Sequence, residues 1–291
     1  MHPIITSLLQ ETPILTDGAW GTELQKRGLA IGQNPDAWNL QHPEIIRDIA
    51  QSYVDAGSRI ILTNTFGANR VNLRRYSLDT NVDEINRRGV ELSKSCARDA
   101  ALVFASMGPS GKMFALGDIT EENLSEAFEE QASAIAAAGA DGIVIETMSD
   151  LTEASIALRV AKKTLLPVVV CMSFDSGREK DRTMMGITPE YTATVLTEIG
   201  ADVLGINCGQ GIDTLLPLCR RMQTVSELPL WIKANAGIPA LVNGKAEYSI
   251  SPKHFADAAI ELAGAGAHFI GGCCGTSPEF IHEISLRLRS R

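Results

Sequence analysis

The stretch Ala138-Gly139-Ala140-Asp141-Gly142-Ile143-Val144-Ile145-Glu146 decides the fold. A glycine of the kind that stops a helix precedes a short β-branched run, and that run ends on a carboxylate. The same grammar returns at Ala56-Gly57-Ser58 before Arg59–Asn64, at Ile199-Gly200-Ala201-Asp202 before Val203–Asn207, and at Ala265-Gly266-Ala267-His268 opening His268–Gly271. Four further runs, Pro13–Asp17, Leu102–Met107, Val168–Ser173 and Leu230–Ala234, bring the total to eight. Stretches with helical periodicity separate them. Asn81 and Thr120 read as helix caps, and Ser251-Pro252 puts proline at a first helical position. Short apolar strands alternating with longer helices give a parallel sheet, and eight such units predict an α/β fold, a (β/α)8 TIM barrel, as a single domain over residues 1–291.

Composition agrees. A chain of 291 residues with 45% hydrophobic content suits one large core. The net charge of −9 and the lack of a basic run exclude nucleic acid and anionic membranes as expected partners. The amino-terminal residues have no cationic signal-peptide start and no run reaches transmembrane length, so a cytoplasmic protein is expected. In that reducing setting clustered thiols serve metal or chemistry rather than disulfides. The stretches Asp175–Gly186 and Gly237–Ser249 read as long loops of the kind that serve as mobile lids.

Barrels of this kind carry their sites at the carboxyl ends of the strands. The residues there are Asp17, Thr63 with Asn64, Glu146 with Thr147, Ser173, Asn207 with Cys208, Lys233 with Asn235, and Cys273 with Cys274. Three thiolates on two glycine-flanked loops suit zinc, whose catalytic sites keep three protein ligands and an open fourth position. The competing readings are a redox pair or buried thiols acting as small hydrophobes, which is the reading given to Cys96, Cys171 and Cys219. Adjacent cysteines on a regular strand face opposite ways. Both Cys273 and Cys274 can ligate only if the chain leaves strand geometry, which Gly271, Gly272 and Gly275 permit. Asp17 suits a turn cap, whereas Glu146, ending a very apolar strand, needs a partner or a ligand ammonium. Asn207 and Thr63 to Thr65 suit supporting hydrogen bonds, and the five histidines lie away from strand ends.

Leu15-Thr-Asp-Gly-Ala-Trp-Gly-Thr-Glu-Leu-Gln25, Ile61-Leu-Thr-Asn-Thr-Phe-Gly-Ala-Asn69, Gly205-Ile-Asn-Cys208 and Gly271-Gly-Cys-Cys-Gly-Thr276 together resemble the homocysteine S-methyltransferase family, which includes the homocysteine-binding domain of cobalamin-dependent methionine synthase and betaine-homocysteine methyltransferase. The likeness covers essentially the whole chain. It implies a zinc held by Cys208, Cys273 and Cys274, with the homocysteine thiolate bound to the metal and methylated to methionine. It also implies Asp17 and Glu146 near the substrate amino group, and the amides around Gly18 and Ala19 at its carboxylate. A thiol near pKa 8.5 is mostly protonated at neutral pH, so a metal that lowers this value supplies the nucleophile.

The methionine synthase domains for folate and cobalamin are not in this sequence. The expected donor is therefore methylcobalamin on a separate corrinoid protein facing the loop Lys26–His42, or a small donor such as S-methylmethionine or betaine. The stretch Leu62–Asn69 followed by Arg70 favours the cobalamin-linked donor. Two rival readings stand beside this one: an aldolase using Lys233 as a Schiff base, and a non-catalytic homocysteine- or zinc-binding module.

Overall fold

Eight short apolar strands, buried on both faces, set the architecture. In the computed structural model, which describes residues 1–242 and 245–289, the barrel strands are β1 (Ile14–Leu15), β2 (Ile60–Leu62), β3 (Leu102–Met107), β4 (Gly142–Met148), β5 (Val168–Met172), β6 (Val203–Cys208), β7 (Leu230–Ala234) and, after a short hairpin of β8 (Ala240–Val242) and β9 (Lys245–Glu247), β10 (Ala267–Gly272). They pair in parallel in the order β1-β10-β7-β6-β5-β4-β3-β2. A bridge between Thr16 and Ile60 and a 2.7 Å bond from Arg59 N–H to Leu15 O close the ring. The long helices that follow the strands pack outside, from Pro43–Asp55 after β1 to Pro278–Arg289 after β10. No helix among the described residues is long and apolar enough to cross a membrane.

Alternate residues of each strand point inward. The lower interior is apolar, with Phe104, Val144, Val169, Val203, Trp231 and Phe269 in one cluster that Ile5 and Leu8 of the helix Pro3–Leu8 cover. Trp231 stacks against Phe104 at 6.2 Å and Phe269 at 5.4 Å between ring centroids. Two residues further along the same strands the inward position turns polar: Ser106 after Phe104, Glu146 after Val144, Asn207 after Gly205, Lys233 after Trp231. All four are buried. A polar layer thus caps an apolar plug, and the site stands on that layer.

The expected helix stops are present, since Gly57, Gly139, Gly200 and Gly266 have φ of +102°, +82°, +102° and +96°, the left-handed region open to glycine. Thr120 caps through its hydroxyl to Asn123 N–H (3.2 Å), and Ser251 does the same to His254 N–H (3.3 Å) with Pro252 at the first helical turn. Asn81 does not cap by its side chain; its amide reaches Glu84 instead, at 3.3 Å. The stretch Gly237–Ser249 departs from the expected plain loop, because β8 and β9 pair antiparallel there. Asn243 and Gly244 lie outside the described residues, but Asn-Gly between two short runs is itself a hairpin signal in the sequence. In Asp175–Gly186 Ser176 bridges Arg182.

Gly205 shows how tightly the plug is filled, since a Cβ there would lie 2.2 Å from Cys171 Sγ and 2.9 Å from Trp231 O. Gly205→Ala therefore overpacks the barrel interior and lowers stability by about 1–3 kcal/mol, read as a lower urea midpoint at unchanged slope.

Candidate metal centre and its cavity

The three strand-end thiols converge. Cys208 ends β6 with φ +60°, a left-handed conformation uncommon outside glycine, which turns its side chain out of the strand alternation. Cys273 and Cys274 fall just past β10, in a turn where Thr276 N–H and Oγ1 both bond Cys273 O, at 3.1 and 2.7 Å. Bonds from Cys273 N–H to Ala234 O (2.6 Å) and from Ala236 N–H to Cys274 O (2.9 Å) tie this turn to the end of β7. The departure from strand geometry demanded by adjacent ligands is therefore made. Gly275 has φ +84°, and a Cβ on it would run into the Tyr248 ring at 2.3 Å.

The sulfurs of Cys208, Cys273 and Cys274 all lie within 4.8 Å of one another, with Cys208 and Cys273 at 3.0 Å. All six cysteines are free thiols. Cys96, Cys171 and Cys219 are buried among apolar side chains, as expected. Within the trio, hydrogen bonds from Cys208 and Cys273 hold the Cys274 thiol far below the usual range, and the same contacts with burial push Cys208 up. The three thiols thus titrate as one group. Three thiolates at this spacing require a cation among them. Asn207, fully buried, sits beneath: its Nδ2 lies 3.8 Å from Cys208 Sγ and 3.9 Å from Cys273 Sγ, and it exchanges two 2.7 Å bonds with Thr147. Such N–H···S donors orient sulfur ligands and lessen their charge. The supporting role expected for Asn207 is visible in that geometry. Thr63 and Thr65 join their hydroxyls at 2.6 Å and support the strand end rather than the sulfurs.

A 420 Å³ cavity opens over the cluster, lined also by Gly18, Ala19, Asp36, Glu146 and Lys233. Glu146 is 8% exposed; burial raises its carboxyl to about 7, while the nearby Lys233 charge opposes the rise. Its Oε1 accepts from the Ser106 hydroxyl, and its Oε2 has no protein donor among the described residues. Asp17, expected beside it at the substrate, is fully buried and is not part of the cavity lining. Its Oδ1 pairs with Lys233 Nζ, and its Oδ2 accepts from Trp20 Nε1 at 2.8 Å and Leu62 N–H at 2.7 Å. A carboxylate offers about four lone-pair positions, so three are spent. The Ala19 amide is likewise spent on Thr276 Oγ1 at 3.1 Å, whereas Gly18 N–H has no protein acceptor among the described residues.

Lys233, the residue on which the rival aldolase reading rested, is set in surroundings that argue against that role. Burial disfavours its charge, yet Asp17 and then Glu146 outweigh burial and raise its pKa. A Schiff-base lysine must be a neutral amine at working pH, and this one is an ammonium locked to a carboxylate. Asp36 went unnoticed in the sequence. It is 2% exposed, accepts from Gly67 N–H at 3.1 Å, and burial raises its carboxyl to about 7. Its only sequence signal is an acid inside the otherwise unremarkable Asn34-Pro35-Asp36.

Residues 14–288 match the family described as homocysteine S-methyltransferase. The methionine synthases of Mycobacterium leprae (strain TN) and Mycobacterium tuberculosis (strain ATCC 25618 / H37Rv) are each 28% identical over 98% and 97% of this chain. The chain spans about a quarter of the length of these curated relatives, 25% of each. Among solved structures, the metallated form of the homocysteine methyltransferase MmuM from Escherichia coli superposes with a TM-score of 0.82 at 23% identity, covering 98% of this chain and all of that one. The apo form gives 0.76 at 22% identity, covering 98% of this chain and 100% of that chain. At such identities these two likenesses establish the fold.

Asp36 gives the cavity a pH signature. Its folded pKa of about 7 lies above the unfolded value of 3.8, so the native state holds a proton that the unfolded state releases. Its contribution to stability is therefore lost as pH rises across that window. Asp36→Asn removes the loss: relative to the parent its stability climbs between pH 4 and 7 and levels above, in urea melts at a series of pH values.

Proposed function

The chain belongs to the homocysteine S-methyltransferase family, and we propose that it methylates homocysteine to methionine at a zinc held by Cys208, Cys273 and Cys274. The observation that carries this reading is the convergence of three free thiols within 4.8 Å at the floor of an open cavity. The donor set fits the ion, because soft thiolates select zinc among the common divalent metals and Asn207 supplies the supporting N–H groups. When bound, zinc supplies the positive charge that keeps a coordinated thiol deprotonated at neutral pH.

The protein's own groups account for the rest of the substrate. Glu146, which lines the cavity and whose Oε2 has no protein donor among the described residues, receives the α-ammonium, whose charge draws the carboxyl back to its ionised form. The Gly18 amide, which lines the cavity and has no protein acceptor among the described residues, donates to the substrate carboxylate. Asp17 acts at one remove, by fixing Lys233 as a permanent cation behind Glu146. Held at these points, the sulfur faces the cavity, and a bimolecular encounter becomes a positioned one. A sulfur–methyl bond forms as the donor–methyl bond breaks, the bonding pair leaving with the donor and the thiol proton passing to solvent. The likeness to methionine synthases favours methylcobalamin, presented by another domain or protein, over a small sulfonium or ammonium donor. A non-catalytic module would keep the metal and make no product, and turnover with a donor panel separates the two.

Removing even a supporting partner of a metal ligand costs about 10–100-fold. Cys208→Ala, which removes a ligand outright, should lose stoichiometric zinc and drop methionine formation by more than about 100-fold. Zinc content and product are measured on the same samples. Full activity in metal-free protein would refute the assignment.

A further inference from the structure

One charged group over the cavity has no part in the chemistry above. Arg75 lines both the 420 Å³ cavity and an adjoining one of 650 Å³, so it stands where the two meet. The neighbouring arginines are committed: Arg70 Nε donates to Glu130 Oε2 at 2.7 Å, and Arg74 Nε lies 3.5 Å from Asp79 Oδ2. Arg75 is exposed and has no carboxylate within ion-pair distance among the described residues. Its guanidinium rests on the turn at Gly111, where a Cβ would stand 3.4 Å from Arg75 Nη1 and 3.0 Å from Asn72 Oδ1. Asn72 holds the same turn by a 2.8 Å bond from Nδ2 to Pro109 O. An exposed arginine that lines the cavity and has no carboxylate partner among the described residues is free to take up an anion. Phe66 and Tyr76, 41% and 39% exposed and lining the same cavity, offer apolar faces for the body of a ligand whose anion lies on Arg75.

We propose that Arg75 binds an anionic group, carboxylate or phosphate, on the methyl donor, and so selects which donors reach the sulfur cluster. This rests on the methyltransferase reading. The guanidinium fork matches either group bidentately, so the two sources are separated by donor pairs. Methylcobalamin carries a phosphodiester that methylcobinamide lacks; S-methylmethionine carries a carboxylate that its methyl ester lacks.

The experiment measures KM and kcat for both pairs with zinc-loaded protein and homocysteine, and calorimetric Kd for the same donors without homocysteine. The parent should prefer the anionic member of one pair. Arg75→Gln should weaken that member about tenfold in KM and Kd, leave kcat and the neutral member unmoved, and be partly rescued by Arg75→Lys. Arg74→Gln, altering an arginine already paired, should change neither. An equal loss for both members, or no loss, overturns the assignment. So does a loss confined to a donor delivered on a protein, which would mark an acidic docking partner instead. If the parent makes no methionine with any donor, the methyltransferase reading fails, and the calorimetry still decides whether Arg75 holds the anion.

Discussion

Three sulfurs within 4.8 Å of one another cannot all ionise unless a cation shares their space, and the rest of the structure follows from meeting that constraint. The backbone accepts an uncommon conformation at Cys208, φ +60°, and ends β10 one residue before Cys273 to bring the sulfurs together. Such geometry persists when the surrounding bonds over-determine it. Here those bonds run from the Cys273–Thr276 turn to the end of β7 and from Asn207 to Thr147.

The second organising feature is a buried row of charge, Asp17, Lys233 and Glu146. A lysine 2% exposed against a fully buried aspartate is costly to desolvate and more costly to break. What the pair provides is a fixed positive field beside Glu146. Glu146 has one oxygen without a protein donor among the described residues and a carboxyl raised to about 7 by burial. The barrel makes this possible by stacking the polar layer directly on the Trp231 plug.

Much of this was legible in the chain. Short β-branched or apolar runs located all eight barrel strands, four of them marked further by a helix-stopping glycine just before, because both signals are local and each strand is buried on both sides. The three cysteines could be grouped because each follows such a run at its carboxyl end. Sequence could not show which partners those strand ends choose across the barrel. Asp17 and Lys233 are 216 residues apart and meet only because β1 and β7 both flank β10. That pairing turned a candidate Schiff-base lysine into a counter-ion and took Asp17 out of the cavity lining. Asp36 and Arg75 were equally silent, since an acid or a base in a loop carries no periodic signal and owes its meaning to the cavity that the folded loops enclose.

The most direct test of the account is X-ray absorption at the zinc edge of reconstituted protein, with and without homocysteine. The account predicts three sulfur neighbours at about 2.3 Å in the free protein and a fourth on adding homocysteine. A sulfur count that stays unchanged on adding homocysteine, or that falls below three in the free protein, would contradict it.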